Sequence, residues 1–388
     1  MTGPSGALQT KEGIVFRKFS QALAGLRLGR IRDATQKQEE DRMGSKSASR
    51  LVAAAATLPG EFEFISAIAA DLGNHGPKRA YADWLKERGD PRASFVRELA
   101  TLTGSLSRHS KPLDSEHFPK AWTNMLGLPL FESIVRFNLG EVKDVILRLA
   151  RPIVTIETEQ VRENAIPIGV SKFGGHPDLP DDADWPRCDY GPLGFLDQIA
   201  VQDLKNAQVS HCLPKVGLLS FFAYQDFEMG YQPGIVDSIP DDTQVLYTPA
   251  SANLKRRKPP EDLNKEGNAI LPACQLTLRE TWDLPGLDDK VAPAYAADLK
   301  KLREDESGER LKSIRRRCHP LGHHLMGYPV HLSAAEDTSP GPEWMHLLCL
   351  YSDDNLGWSW CDGGHLAVYV HEDDLRSGQF RRIYGYAA

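Results

Sequence analysis

The fold of this chain is decided by the stretch Ser171-Lys-Phe-Gly-Gly-His-Pro-Asp-Leu-Pro180, which is followed by Trp185-Pro186 and by Pro192-Leu-Gly-Phe-Leu-Asp-Gln-Ile199. Paired glycines, spaced prolines and a tryptophan stand at fixed places and lead into a β-rich apolar segment. A generic helix or coil would not need these residues. The stretch therefore marks a specific backbone path at the start of a sheet-containing domain.

Further motifs follow in order: Leu213-Pro-x-x-Gly-Leu-Leu-Ser-Phe-Phe222, His324-x-x-Gly-Tyr-Pro329, Leu348-Cys-Leu-Tyr-Ser-Asp353, Gly357-Trp-Ser-Trp-Cys-Asp-Gly-Gly-His-Leu366 and Glu372-Asp-Asp-Leu375. With the opening stretch, they make residues 165–385 resemble the YwqG-like family of bacterial proteins. The resemblance implies a mixed α+β fold and no firmly established activity. Some relatives occur beside bacterial toxin and immunity genes, which implies a binding role.

The chain departs from the family pattern in two places. The segment 250–310 is long and charged, and His331-Leu-Ser-Ala stands where a glutamine-containing continuation is typical after Tyr328-Pro329. If that position contributes to a family site, the site is altered in this chain.

Outside these motifs, hydrophobic periodicity sets the fold class. Runs rich in β-branched and aromatic residues predict strands at 153–156, 166–170, 193–199, 217–224, 245–247, 274–278, 346–351 and 365–370. A charged helical segment at about 288–317 interrupts them. The pattern before residue 151 is helical. We therefore predict an α+β protein, with a helical N-terminal third followed by a sheet-dominated mixed α+β domain.

The helical part carries a second resemblance. Tyr81-Ala-Asp-Trp-Leu85 and Glu87-Arg-Gly-Asp-Pro-Arg92 make residues 60–100 similar to a bacterial repeat-companion module of unknown function. Asp90 is expected to cap a helix with Pro91 at its first position. These residues are interpreted as a small helical core with its cap, the alternative being a recognition surface of Tyr81, Trp84 and Arg88.

Four segments are expected along the chain. Residues 1–50 form a polar, disordered arm, and 51–104 form the helical module. Residues 105–150 are a helical connector, and 151–388 form the YwqG-like α+β domain.

Charge and cysteine usage limit the partners and the location. The net charge of −7 suits a basic protein partner and argues against nucleic acid, whose ligands usually need a basic face. The six cysteines form no Cys-x-x-Cys pair, and no signal peptide or apolar run of membrane-spanning length is present. We therefore expect a cytoplasmic protein with reduced thiols.

One candidate site is a polar pocket. Backbone N–H groups at the glycine pair could hold an anion. The pocket would consist of Gly174, Gly175, His176, Gln198, His324 and Asp362. No phosphate-binding glycine loop and no Gly-x-Ser-x-Gly elbow occurs in the sequence.

A second set of candidates is aromatic. It consists of Trp185, Tyr328, Trp358 and Trp360. Trp358 and Trp360 are two residues apart, so in a strand both would point to the same side. Large rigid rings anchor interfaces, and they also fill cores. Two interpretations of these aromatic residues therefore stay open, a role in the core and an exposed binding platform.

The histidines around residue 320 are the candidates for a metal. His319 and His323 are four residues apart and would share one face of a helix, and His324 follows. Pro320 and Gly322 favour a turn at this point instead. No cofactor is predicted, and a divalent metal at these histidines is the alternative.

The sequence favours a non-catalytic protein-interaction or immunity-type protein that binds its partner through the C-terminal domain. The alternative is a metal-dependent enzyme or small-molecule binder that uses the polar pocket. An accessory role in peptide modification is a further alternative. Oligomeric state is not determined by these residues.

Overall fold

The computed structural model describes residues 50–51, 58–106, 110–204, 207–224, 242–263, 270–285, 307–318, 322–328, 340–341, 343–360 and 363–387. The predicted arm, apart from Arg50, lies outside these residues, as do His319 and Asp362. The described residues belong to one compact unit that spans 48–388.

Helices dominate the first part of this unit. The α-helices of the described residues are α1 (Glu61–Ala70), α2 (His75–Glu87), α3 (Arg92–Ser105), α4 (Lys120–Met125), α5 (Leu128–Arg136), α6 (Lys143–Leu149), α7 (Ser307–Cys318) and α8 (Glu372–Ser377). Short 3₁₀ turns lie at Gly140–Val142, Glu163–Ala165, Val201–Leu204 and Gln208–His211. None of the helices in these residues is both long and apolar enough to cross a bilayer.

Strands dominate from residue 151 onward. They are β1 (Arg50–Leu51), β2 (Arg151–Gln160), β3 (Lys172–Phe173), β4 (Asp178–Pro180), β5 (Arg187–Cys188), β6 (Gly191–Pro192), β7 (Gly194–Ala200), β8 (Leu218–Ala223), β9 (Thr243–Thr248), β10 (Leu254–Arg256), β11 (Cys274–Asp283), β12 (His324–Leu325), β13 (Trp344–Tyr351), β14 (His365–His371) and β15 (Ile383–Ala387). The expected α+β class, with helices first and a large sheet after them, is confirmed.

Most strands join one antiparallel sheet. Its order is β15-β14-β13-β12-β2-β11-β3-β7-β8-β9, and β1 adds to β11 in parallel. The end strands β9 and β15 come into contact, so the sheet curls into a nearly closed barrel. Two separate antiparallel pairs, β4 with β10 and β5 with β6, lie outside it.

The barrel interior is the larger apolar core. It takes side chains from all ten strands of the sheet order, for example Phe173 of β3, Leu278 of β11 and Val368 of β14. Alternate residues along each strand point inward, as a sheet packed on one face requires. Trp358 and Trp360 belong to this core.

A second core lies among the helices, and the barrel contributes to it. Side chains from α1 to α6 pack with Trp282 at the end of β11 and with Leu311 and Ile314 of α7. The indole N–H of Trp282 donates to the carbonyl of Asn124 over 2.7 Å. The predicted connector thus packs on both the helices before it and the sheet after it.

The repeat-companion motif has a structural explanation. The Tyr81 hydroxyl donates to buried Glu61 and accepts from the indole N–H of Trp122. Arg92 lies between Glu61 (2.6 Å) and Asp90 (2.7 Å). Tyr81 therefore belongs to the helical core, as the preferred interpretation expects, and not to a recognition surface. The Asp90 carboxylate accepts the N–H of Arg92, and α3 begins one residue later than predicted.

The strand predictions agree with the structure except in the loop before the decisive stretch. The segment 166–170 is not a strand, because Pro167 lacks an N–H and Gly169 turns the chain with φ 80°. Of the predicted charged helix, residues 307–317 belong to α7 and 288–306 lie outside the described residues. Among the described residues, the predictions missed seven short strands, β1, β3, β4, β5, β6, β10 and β12, and also the five-residue strand β15.

Candidate functional site

The Gly174–Gly175 pair forms a tight turn directly after β3. Both residues have positive φ, 59° and 67°. The N–H of Gly174 donates to Leu196 and that of Gly175 to Leu271, each over 2.8 Å. A Cβ on Gly174 would collide with the carbonyl of Pro272. Glycine is therefore required by backbone approach, and the expectation that these N–H groups cradle an anion is wrong, because carbonyls already accept them.

Around the turn, three side chains form an ion-pair cluster. One carboxylate oxygen of Glu163 accepts the backbone N–H of His176, and the other lies 2.6 Å from its Nδ1. The buried Lys172 ammonium donates to the carbonyl of His176 and lies 3.5 Å from Glu163. This cluster fixes the loop that contains Glu163 against the turn.

The pKa values of two of these groups, Lys172 and Glu163, are both lowered, for different reasons. Burial lowers the pKa of Lys172 to about 8, against the raising effect of Asp178 and Glu163. Burial raises the pKa of Glu163, but hydrogen bonds from His176 and the charge of Lys172 outweigh it, so its pKa lies below the usual value. Lys172 and Glu163 therefore form an ion pair with each other.

A second cluster, centred on Asp178 and Arg256, holds the adjoining loop. Asp178 is fully buried and accepts from Arg256 Nε (2.9 Å), from Gln198 Nε2 (2.8 Å) and from the N–H of Gly169 (2.9 Å). The Arg256 guanidinium also donates to the carbonyls of Glu163 and Ile166. The Arg256 side chain thus holds the loop of residues 161–171 in place through several hydrogen bonds.

Gln198 completes this cluster from β7. Its amide oxygen accepts the N–H of Asp178 over 2.9 Å, and its Nε2 also donates to the carbonyl of Val170 over 2.7 Å. The structure therefore brings Gly174, Gly175, His176 and Gln198 together, as the pocket hypothesis expects. It does so in an internally paired network rather than around an open cleft. His324 lies on β12, which β2 and β11 separate from β3.

The aromatic candidates divide into three buried rings and one partly exposed ring. Tyr328, Trp358 and Trp360 are 0%, 2% and 0% exposed. The exposed platform is therefore wrong for these three, and their core role is confirmed. Trp185 is half-buried, donates to the carbonyl of Leu193 over 2.9 Å and packs edge-on against Phe222.

His323, a candidate metal ligand, is instead held as a hydrogen-bonded core residue. Its Nδ1 accepts the N–H of Tyr351 (3.1 Å), so the proton is on Nε2, which donates to Asp353 (3.2 Å). Its ring packs edge-on against Phe173 and Trp358. The hydrogen bond from His323 lowers the pKa of Asp353. Both ring nitrogens of His323 therefore make hydrogen bonds within the protein, and a metal at this histidine stays a prediction.

His324 points to the other side of the sheet and meets two residues that sequence reasoning missed. His324 Nε2 or Nδ1, one ring nitrogen of His346 and the Cys349 sulfur all lie within 4.8 Å of one another. All three side chains are buried. The only sequence signal was the position of His346 and Cys349 in one predicted strand, where three-residue spacing places them on opposite faces.

Two buried carboxyl groups were also missed. Asp197 on β7 pairs in register with Phe173 and Phe221, both of the barrel core. Neither of its oxygens has a hydrogen-bond partner among the residues that the structure describes. Glu280 on β11 accepts the N–H of Gln208 over 2.8 Å. Every residue of β7 is buried, so the strand has no exposed face on which the Asp197 carboxylate could lie.

The comparison with known families decides what the C-terminal part is. Residues 171–387 match the family described as a domain of unknown function, DUF1963. The chain belongs to the DUF1963 family. The DUF1963 match begins at Ser171, in the stretch that forms β3 and the glycine turn, and ends with β15. Among curated proteins, none matches the chain.

Proposed function

We propose that this protein is a non-catalytic protein-interaction protein, of the immunity type, which binds a partner through its DUF1963 domain. The observation that carries the proposal is the loop 161–171, which is fixed by Arg256 and exposes Ile168. Membership of the narrower YwqG-like group, the repeat-companion nature of residues 60–100 and a cytoplasmic location are parts of the same proposal.

Exposure of one isoleucine is ordinary on a protein surface. Ile168 differs because hydrogen bonds hold its loop. The Arg256 guanidinium donates to the carbonyl of Glu163, which begins the 3₁₀ turn, and to that of Ile166, which follows it. Asp178 accepts the N–H of Gly169. Ile168 itself is 53% exposed. A loop that is ordered before binding loses little conformational entropy when a partner docks.

The polar clusters support binding rather than chemistry. Glu163 pairs with Lys172 and with Arg256, and Asp178 pairs with Arg256. Such saturated ion pairs hold a loop well and offer little to a reacting substrate. The net charge of −7 would attract a basic partner, and charge of this kind acts mainly on the association rate and on specificity.

The alternative, a metal-dependent enzyme or small-molecule binder, draws on other residues, namely the buried pair of histidines and the cysteine on β12 and β13. An accessory role in peptide modification stays a further alternative. The contacts of the described residues do not distinguish it from the first proposal.

Site-specific photo-crosslinking tests the proposed surface. A benzophenone amino acid is placed at Ile168, or at Val216 as control, which is 49% exposed on a different loop. Both chains are produced in the organism that encodes the protein. We expect a discrete adduct with one protein from position 168 and none from position 216.

A second variant connects the adduct to loop order. Arg256→Met removes the side chain that holds the loop. The control is Lys255→Met, on the same strand β10, which removes only an exposed ion pair with Asp181. The adduct from position 168 should be lost only with Arg256→Met. Equal labelling at both positions, or no adduct at position 168, would overturn the proposal.

A further inference from the structure

We propose that His324, His346 and Cys349 form a binding site for a borderline-soft transition-metal ion of the zinc type. The site lies on the outer face of the barrel wall, where β12 and β13 pair, opposite the side on which Leu325, Leu348 and Leu350 enter the barrel core. It is separate from the loop of the proposed function and does not depend on it.

The backbone places the three ligands on one face. His324 and Cys349 are direct partners in the antiparallel register, so their side chains point to the same side. Residues 346 and 349 would point to opposite sides in a regular strand. The register of β13 against β14 shifts between His346 and Leu348, which marks a bulge. A bulge inserts one residue and so turns His346 to the side of Cys349.

The hydrogen bonds of the two imidazoles orient their metal-binding nitrogens. His324 Nδ1 lies 2.9 Å from the carbonyl of Gly322, and His346 Nδ1 lies 3.0 Å from the carbonyl of Met326. A carbonyl can only accept, so each Nδ1 carries the proton and each Nε2 carries the lone pair. Zinc-binding histidines are commonly held by this kind of outer hydrogen bond.

The donor set selects the class of ion. Two imidazole nitrogens and one thiolate suit zinc and similar borderline-soft ions, whereas calcium and magnesium require oxygen. One nitrogen of each imidazole and the Cys349 sulfur lie within 4.8 Å of one another. Zinc bond lengths bring tetrahedral ligands to about 3.5 Å apart, so the side chains need to close by only about 1 Å. Three protein ligands leave a fourth position open for a further ligand.

Burial of the ligands predicts slow exchange of the bound ion. His324 and Cys349 are 0% exposed. Binding would convert the Cys349 thiol to a thiolate, and the proton would leave to solvent. An ion enclosed in this way should exchange slowly and enter when the chain folds.

Elemental analysis of the full chain, purified without a metal-affinity tag, tests the site. The protein is unfolded, refolded with zinc and dialysed. We expect about one equivalent of zinc per chain, and at least about 100-fold weaker retention in Cys349→Ser and in His346→Gln. The control is His323→Gln, a buried histidine next to His324 that points to the other side, and it should retain the ion.

Cobalt substitution gives a readout that does not depend on the amount bound. A sulfur-to-cobalt charge-transfer band should appear in the wild-type chain and in His323→Gln, and should be absent from Cys349→Ser, with folding checked by circular dichroism. Absence of zinc from the refolded wild-type chain would overturn the site. Zinc that is retained in both Cys349→Ser and His346→Gln would overturn it as well.

Discussion

At the residue scale, two carboxyl groups, Asp197 and Glu280, are buried inside the barrel. Burial raises the pKa of Asp197 well above its usual value and that of Glu280 to about 8. With a pKa of about 8, Glu280 is mostly protonated in the folded protein at neutral pH. In the unfolded chain the same group is ionised, so folding takes up a proton.

The pH dependence of stability follows for Glu280. Between its unfolded pKa near 4.5 and its folded pKa of about 8, the folded protein holds a proton that the unfolded chain has lost. The free energy of unfolding therefore falls as pH rises, by about 1.4 kcal/mol per pH unit for one group. Glu280→Gln keeps an acceptor for the N–H of Gln208 and cannot ionise. We expect its stability relative to wild type to increase steadily from pH 5 to pH 8.

Urea unfolding across this pH range checks the prediction. The matched control is Glu157→Gln, on the neighbouring strand, because Glu157 is 61% exposed and pairs only at the surface with Arg279. Its stability should follow that of wild type at every pH. A constant difference between Glu280→Gln and wild type would show that Glu280 is not protonated in the folded state.

Some residues could be understood from the sequence and others could not, for a physical reason. Gly174 and Gly175 were recognised because a local backbone path requires glycine there. The pairing of Arg256 with Asp178 was not, because a contact between residues so distant in sequence depends on the sheet order. The two-residue spacing of Trp358 and Trp360 would place them on one side of a strand, but both lie outside the strands of the described residues, and their burial depends on the fold.

At the element scale, short strands escaped the sequence. β3 and β12 have two residues each, too few for an alternating pattern. The bulge in β13 was equally invisible, although it decides which side His346 faces. Long alternating strands such as β14 were predicted correctly, because every second side chain enters the core.

The contact between β15 and β9 depends on one glycine. A Cβ on Gly385 would overlap the Thr243 side chain. We expect Gly385→Ala to destabilise the protein by about 1–3 kcal/mol, as overpacking does, because the strands that close the barrel must separate. Gly104→Ala, in α3, has nothing within 4 Å and should stabilise slightly.

Thermal unfolding of both variants provides the measurement, with hydrogen exchange on β9 and β15 to locate the effect. Faster exchange confined to these strands in Gly385→Ala is the expected pattern. Wild-type stability in Gly385→Ala would mean that β9 and β15 do not approach as closely as described.

At the scale of the whole molecule, the helices and the barrel share a core. Trp282 of β11 is 1% exposed and packs among the helices, and the Tyr328 hydroxyl donates to the carbonyl of Leu149 at the end of α6. We therefore expect helical and sheet signals to disappear in a single transition on unfolding. Trp282→Ala should cost about 3–5 kcal/mol.

Trp344→Ala is the matched control, because Trp344 is only half-buried on β13 and should cost clearly less. Urea unfolding followed in parallel by far-ultraviolet circular dichroism and tryptophan fluorescence gives both quantities. Two separated transitions in the wild-type chain would contradict the shared core.

The barrel can close only late in synthesis, because its two end strands lie far apart in the sequence. β9 ends at Thr248 and its neighbour β15 begins at Ile383, roughly 135 residues later. At about 5–20 residues per second, the ribosome leaves the outer edge of β9 uncovered for on the order of ten seconds. A bare edge strand readily pairs with another nascent chain. Translation speed and chaperone access, more than final stability, should therefore govern the yield of correctly closed protein.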